Sequence, residues 1–500
     1  MSDSLRELWL RGLAFNPAAP SDVLIRLLDR AAGEAGPLMC EGRDLPDAVI
    51  DAALHHPVGA VRSALARNQY VDPARLAPLA TDPSGLVRAH LAGGPRHYPR
   101  RVRPLPDDIL VTLLTAKDGG EDGRLTAGEI IGELESSRQI PLSFRRSLAT
   151  REHPELRIRA TWNWGSLTPE QRAGLLDDPD PAVRESARDG SWVLDPEQVE
   201  AGLPSYEPRN QAFVLSTCAL SPALVEQCLT DGLLQHLAQN RHAPAHALAR
   251  LARRPEAGIR ALVATRPDLG ADLVAELRKD PDADVRMNAR LHPFSRTWAE
   301  YDMIHRILGH GPDCTCPITE PAPRPSPDWF AACAASGEPV LRRVAASWSG
   351  LPAELVAELA QDDDEEVRIR LACHHPLAPS HLLLDVFVTR PAHRPHLLTL
   401  PAFPRTGTSH LIDHPDPQVR SLAAADPALP DPPLEDPDEP VRRAAATNPS
   451  LTPQTLEVLL AAPRTAEGAA ANPSLPVPRM HALLDHCLDD VPTPPTASRR

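Results

Sequence analysis

The residues best suited to chemistry gather where the sequence is least regular. Between residues 300 and 333 stand His305, His310, Cys314, Cys316 and Cys333. Thiolate sulfur and imidazole nitrogen are donors that suit zinc, so His310, Cys314, Cys316 and Cys333 form a candidate zinc set. The Cys-x-Cys spacing is not the paired Cys-x-x-Cys of structural zinc sites, and the competing reading is a loop with exposed thiols. A second candidate is the loop from Asp118 to Glu129. Asp118, Asp122 and Glu129 fall where an EF-hand loop carries calcium-ligating carboxylates. Gly120 supplies no side-chain oxygen at another ligating position, and Thr126 with Glu129 also reads as a capping box opening a helix. No resident cofactor is expected, zinc and calcium being the alternatives that these loops leave open.

Two further sets could engage a partner. Arg62, Arg88, Arg159, Arg184, Arg260, Arg286, Arg368, Arg420 and Arg442 recur in register. A row of guanidinium groups can clasp carboxylates or phosphates. Acidic residues recur at the same period, however, so the expected role is a ladder between neighbouring units. Trp162, Trp164 and Trp192 are either surface anchors or plugs at corners. No Gly-x-Ser-x-Gly elbow, phosphate-binding glycine loop or His-Glu-x-x-His is present, and no catalytic residue is expected.

The arginines belong to one motif: a polar residue, Pro, three variable positions, Val or Ile, then Arg. It runs from His56-Pro57 to Val61-Arg62, from Asp82-Pro83 to Val87-Arg88, and on to Asp436-Pro437 before Val441-Arg442. Within pairs the arginines stand about 22 to 26 residues apart, a solenoid period. The motif reads as a helix start, with Asp as cap, Pro in the first turn and Val or Ile on the buried face. His56, His153, His292, His375 and His414 read as substitutes for that cap. A second start signal, as in Asn16-Pro17 and Asn448-Pro449-Ser450-Leu451-Thr452-Pro453, precedes leucines spaced three and four apart. Each unit is then helix, corner, helix, corner. Such units bury their apolar faces only by stacking.

Asn-Pro-x-Leu-x-Pro, a Leu-rich helix and Asp-Pro-x-x-x-Val-Arg together resemble the leucine-rich repeat variant family, a HEAT-like helical repeat, over roughly residues 10 to 488. The resemblance implies an all-α, right-handed α-solenoid of two-helix repeats about 24 to 26 residues long, either α/α or α alternating with short 3₁₀ helices. Founding members of that family carry a cysteine-rich iron–sulfur segment. Here the N-terminal region holds only Cys40, and no cluster is expected.

The expected organisation is helical repeats over 1–92, irregular repeats with a Gly/Asp-rich loop over 93–150, and central repeats over 151–300. A Cys/Pro-rich insertion follows over 301–333, then repeats over 334–490 and a disordered tail over 491–500. The acidic run Asp362 to Glu366 reads as a solvated helix start. A formal charge of −15 argues against a broad phosphate-binding surface and hence against nucleic acid. Asp3, Arg6, Glu7, Arg11, Asp22 and Arg26 interrupt any apolar leader, and no stretch approaches a membrane span. Eight cysteines, mostly isolated, fit reduced thiols in a cytoplasmic protein.

These features point to a non-enzymatic scaffold or adaptor holding a protein or peptide on a concave face. The rivals are a solenoid nucleic-acid-binding or DNA-repair enzyme and a metal-binding regulatory repeat. The far-UV circular dichroism spectrum is expected to be dominated by α-helix with negligible strand, and a strand-rich spectrum would end the solenoid reading.

Overall fold

A computed structural model describes residues 3–95, 103–117, 125–137, 139–205, 207–309 and 325–488. Among them every regular element is an α-helix or a 3₁₀ turn, with no strand. The chain forms two compact units: Met1–Pro141 together with Leu383–Arg500, and Leu142–Leu382.

Short helices follow from the punctuation in the sequence. In the Pro181–Ser191 helix, Asp180 is the cap, accepting from the Ala182 and Val183 amides, and Pro181 sits in the first turn. Asp282 and Asp416 cap the Ala283–Leu291 and Pro417–Ala424 helices in the same way. The motif aspartate lies two residues before these caps. Asp178 Oδ1 accepts from the Asp180 amide and Asp280 Oδ1 from the Asp282 amide, each closing the turn that leads into the helix. The expectation that the motif aspartate is itself the cap is corrected. Histidine takes the same turn-closing place: Nδ1 of His56, His375 and His414 accepts from the amide two residues on. His153 is a cap residue without a side-chain cap bond, and His292 is buried in a 3₁₀ turn.

The motif valines supply the core. Val61, Val87, Val183, Val285, Val419 and Val441 are all buried. Cys40, Cys218, Cys228, Cys333, Cys373 and Cys487 are buried and form no disulfide.

Successive helices are stapled through side-chain amides at their C-terminal ends. Asn448 Nδ2 donates to the Ala424 and Asp426 carbonyls at 2.9 and 2.8 Å. Asn472 does the same to the Ala446 and Asn448 carbonyls, Asn68 to those of Cys40 and Arg43, and Asn240 to those of Leu215 and Cys218. Each Oδ1 accepts from the amide two residues on, as at Tyr70, His242, Ser450 and Ser474. The Asn-Pro signal therefore does not cap the following helix; Thr452 does that for the Pro453–Ala461 helix. Its asparagine satisfies carbonyls that the preceding helix end leaves free.

In the first unit this ladder passes through both chain ends. Asn16 Nδ2 donates to the Ala470 and Asn472 carbonyls at 2.9 and 2.7 Å, as Asn472 does one step earlier. Arg43 Nη1 then donates to the Ala14 and Asn16 carbonyls. The Asp3–Phe15 helix thus takes the next place in the stack after the Ala466–Ala470 helix. Trp9 Nε1 bonded to the Leu460 carbonyl, and Arg26 paired with Asp485, hold the same seam.

Asn448 is wholly buried, and Asn448→Ala would orphan the Ala424 carbonyl and the Ser450 amide and take one of two donors from the Asp426 carbonyl, which also accepts from the Leu429 amide. The expected loss is about 3 kcal/mol of unfolding free energy, read by urea denaturation. Unchanged stability would mean that these carbonyls find other partners.

Candidate functional site

The repeated arginines are internal fasteners. Arg62 forks onto Asp82 with Nε–Oδ2 at 2.6 Å and Nη2–Oδ1 at 3.0 Å, while its Nη1 donates to the His56 carbonyl at 2.6 Å. Arg260 binds Asp280 and the Arg254 carbonyl in the same way, and Arg420 binds Asp436 and the His414 carbonyl. Each arginine ties its own turn to the aspartate of the next unit, a bidentate charge-assisted pair that is largely out of solvent. Arg88, Arg184, Arg286, Arg368 and Arg442 make the turn-closing half of this pattern, each donating Nη1 to the carbonyl six residues back.

Two members of this lattice escape the sequence motif. Arg157, not Arg159, forks onto Asp178 at 2.7 and 2.9 Å, because the Pro154–Thr161 helix starts two residues earlier relative to its arginine. Arg159 instead lies 4.9 Å over the Trp162 ring. Arg342 forks onto Asp362 at 2.6 and 3.0 Å with no Val-Arg before it. The acidic run is a helix start, with Asp364 capping the Glu365–His374 helix, but three of its acids are paired rather than solvated. Asp362 holds Arg342, Asp364 holds Arg343, and Glu366 holds Arg343 and Arg370. A signal for Arg342 was available in Ser336, whose carbonyl stands six residues before it as in the motif.

The other candidates separate. Trp164 is buried and Trp192 packs half-buried against the core, whereas Trp162 is 64% exposed. His310, Cys314, Cys316, Asp118 and Asp122 lie outside the described residues. Cys333 is buried on the Pro327–Ala334 helix, where burial pushes its thiol well up and holds it protonated. His305 stacks on Tyr301 at 5.2 Å, and burial pushes its imidazole down. Glu129 completes the capping box: its Oε2 accepts from the Thr126 amide at 2.8 Å and from the Thr126 hydroxyl at 2.9 Å. No cluster of three or more metal-ligating side chains occurs among the described residues.

An open groove of about 680 Å³ lies elsewhere, in the first unit. Its floor is one equivalent face of four consecutive helices. Five residues before the staples Asn448, Asn472 and Asn16, and before Asp426 at the end of the preceding helix in the stack, stand Arg443, Glu467, Arg11 and Ser421, all of which line it. One residue before them stand Thr447, Ala471 and Phe15. The helices meet closely because Gly12 and Gly468 have no side chain: a Cβ at Gly12 would lie 2.3 Å from the Glu467 carbonyl oxygen, and one at Gly468 would lie 2.2 Å from that of Arg443. Phe387 and Leu398 line the groove as well. Phe15 is 42% and Leu398 37% exposed. Arg443 meets Glu467 at 3.3 Å, and Arg394 spans from the Phe387 carbonyl to Asp416 and Gln418. Arg11 is exposed and makes no ion pair among the described residues.

No family model matches the chain, and no curated protein matches it. No single helix among the described residues is long and apolar enough to cross a membrane.

The Arg–Asp lattice gives acid sensitivity a definite sign. The fork from Arg260 holds the Asp280 carboxyl below the usual carboxylate range, and Arg157 does the same for Asp178. A depressed folded-state pKa stabilises the fold above the unfolded value of about 3.9, and that stabilisation is lost as pH falls through the folded value. Asp280→Asn should therefore melt well below the parent at about pH 6, with the gap narrowing below about pH 4. A gap independent of pH, in thermal melts across that range, would count against the pair.

Proposed function

We propose that this chain is a non-enzymatic repeat scaffold or adaptor of the leucine-rich repeat variant kind, a right-handed α-solenoid that holds a partner protein or peptide in the cytoplasm. The staples support the repeat reading, since they join residues 22 to 28 apart and recur in both units. The partner reading rests on one observation: the groove in the first unit leaves Phe15 and Leu398 exposed beside Arg11. Apolar side chains half in water next to an unneutralised guanidinium suit an interface, where aromatic and arginine residues carry much of the binding energy. The repeated arginines act within the lattice, which leaves this non-repeating face for recognition.

Site-specific photocrosslinking in the cells that make the protein tests this. A photoreactive amino acid at position 15 is expected to give a discrete protein adduct that Arg443→Glu removes. The same amino acid at Val458, 70% exposed on the Pro453–Ala461 helix outside this groove, should give none. Equal adducts at both positions, no adduct at position 15, or an adduct to nucleic acid would sink the reading.

A further inference from the structure

The groove is assembled across the seam between the chain's two ends. Arg11, Gly12 and Phe15 come from the first helix of the chain, while Arg443, Glu467 and Gly468 come from its last repeats. Without the Asn16 staple to the Ala470 and Asn472 carbonyls, one wall would be missing.

The charges across the seam do not cancel. Along the floor Arg443, Glu467 and Arg11 occupy equivalent positions on three consecutive helices. Glu467 answers Arg443 at 3.3 Å, and Arg394 is held by Asp416. Arg11 is left as an exposed cation in a chain of formal charge −15. It also lines a second groove of about 740 Å³ on the other side of the same helix, where Leu38 is 39% exposed. On the first helix Arg11 is thus a cation with apolar side chains beside it in both grooves; Arg6, held by the Ala31 carbonyl, and Glu7 and Glu34 also line the second. A carboxylate with leucine or phenylalanine beside it matches that pattern: the acid pairs with Arg11, and the apolar neighbours cover Phe15 and Leu38.

Building on the scaffold reading above, we propose that the partner element is an acidic segment with apolar neighbours, and that it binds only while the chain's ends are docked. Binding and seam closure then stabilise one another, since an occupant that touches both walls favours the closed arrangement. The neighbouring repeats carry their own staples.

Full-length protein is panned against a phage-displayed random peptide library, and the best peptide is synthesised and measured by fluorescence anisotropy. Enriched sequences are expected to carry Asp or Glu next to Leu or Phe. Arg11→Glu should weaken the peptide at least about tenfold, and binding should fall as salt rises from about 0.05 to about 0.5 M. Asn16→Ala, which lies off the groove lining, should also weaken it about threefold or more. Arg290→Glu, an exposed site in the other unit, should leave it unchanged. Circular dichroism and melting of each variant separate lost binding from lost fold, and the salt series on the parent protein needs no variant. Basic or uncharged enriched peptides, no enrichment, or affinity within about twofold for Arg11→Glu would each overturn the proposal. A crosslink at position 15 to a partner without such a segment would sink this inference alone, while loss of that crosslink sinks the scaffold reading.

Discussion

The buried side-chain amide that follows several of the stacked helices is the constraint on which the rest depends. A short helix leaves its last carbonyls without partners, and a stack of short helices buries many of them. A primary amide answers this economically, with two N–H donors aimed at two carbonyls of the preceding helix and one oxygen that accepts from its own turn. Asn16, Asn240, Asn448 and Asn472 are wholly inaccessible to solvent, so no water replaces a missing bond. Where another residue stands in this place, extra structure comes with it. Arg266 reaches the Ala238 and Asn240 carbonyls, but its charge is buried, and Asp268 binds its other nitrogens at 2.9 and 2.6 Å while the Trp298 ring lies 5.1 Å away. Gln139 serves similarly toward the Leu91 and Ala92 carbonyls.

At five helix starts the turn is fixed by charge. There the fork between arginine and aspartate sets the spacing of one turn against the next, and its planar geometry tolerates little slippage. Five such forks recur across the two units, at Arg62, Arg157, Arg260, Arg342 and Arg420. Because these guanidinium groups are saturated by a carboxylate and a carbonyl, they have little to offer a ligand. Conspicuous repetition here marks what holds the helices together.

Docking of the two chain ends follows from the same rule. Leu10 and Leu13 on the Asp3–Phe15 helix and Leu483 and Leu484 on the Val477–Leu488 helix are apolar and buried. In the first unit each helix covers the other, with Asn16 filling the place that the ladder leaves vacant and Gly12 allowing the backbones to meet. Arg11 and Phe15 thereby come to face residues more than four hundred positions away, and the groove becomes a product of closure rather than of any single repeat.

The sequence by itself determined the local events. Proline and aspartate placed helix starts to within two residues, valine spacing marked the buried face, and the recurring asparagine marked a corner, since these are settled by the backbone and its near neighbours. The pairing of arginines with the acids of the next unit was legible too, because both recur at one period. Only tertiary structure decided which arginine occupies the lattice at Arg157 and Arg342, why the run from Asp362 to Glu366 is paired, and what Asn16 does. A motif records residue types. A hydrogen bond requires a donor within about 3 Å of a particular acceptor, and for Asn16 that acceptor lies at the far end of the chain, where no periodicity in the sequence points.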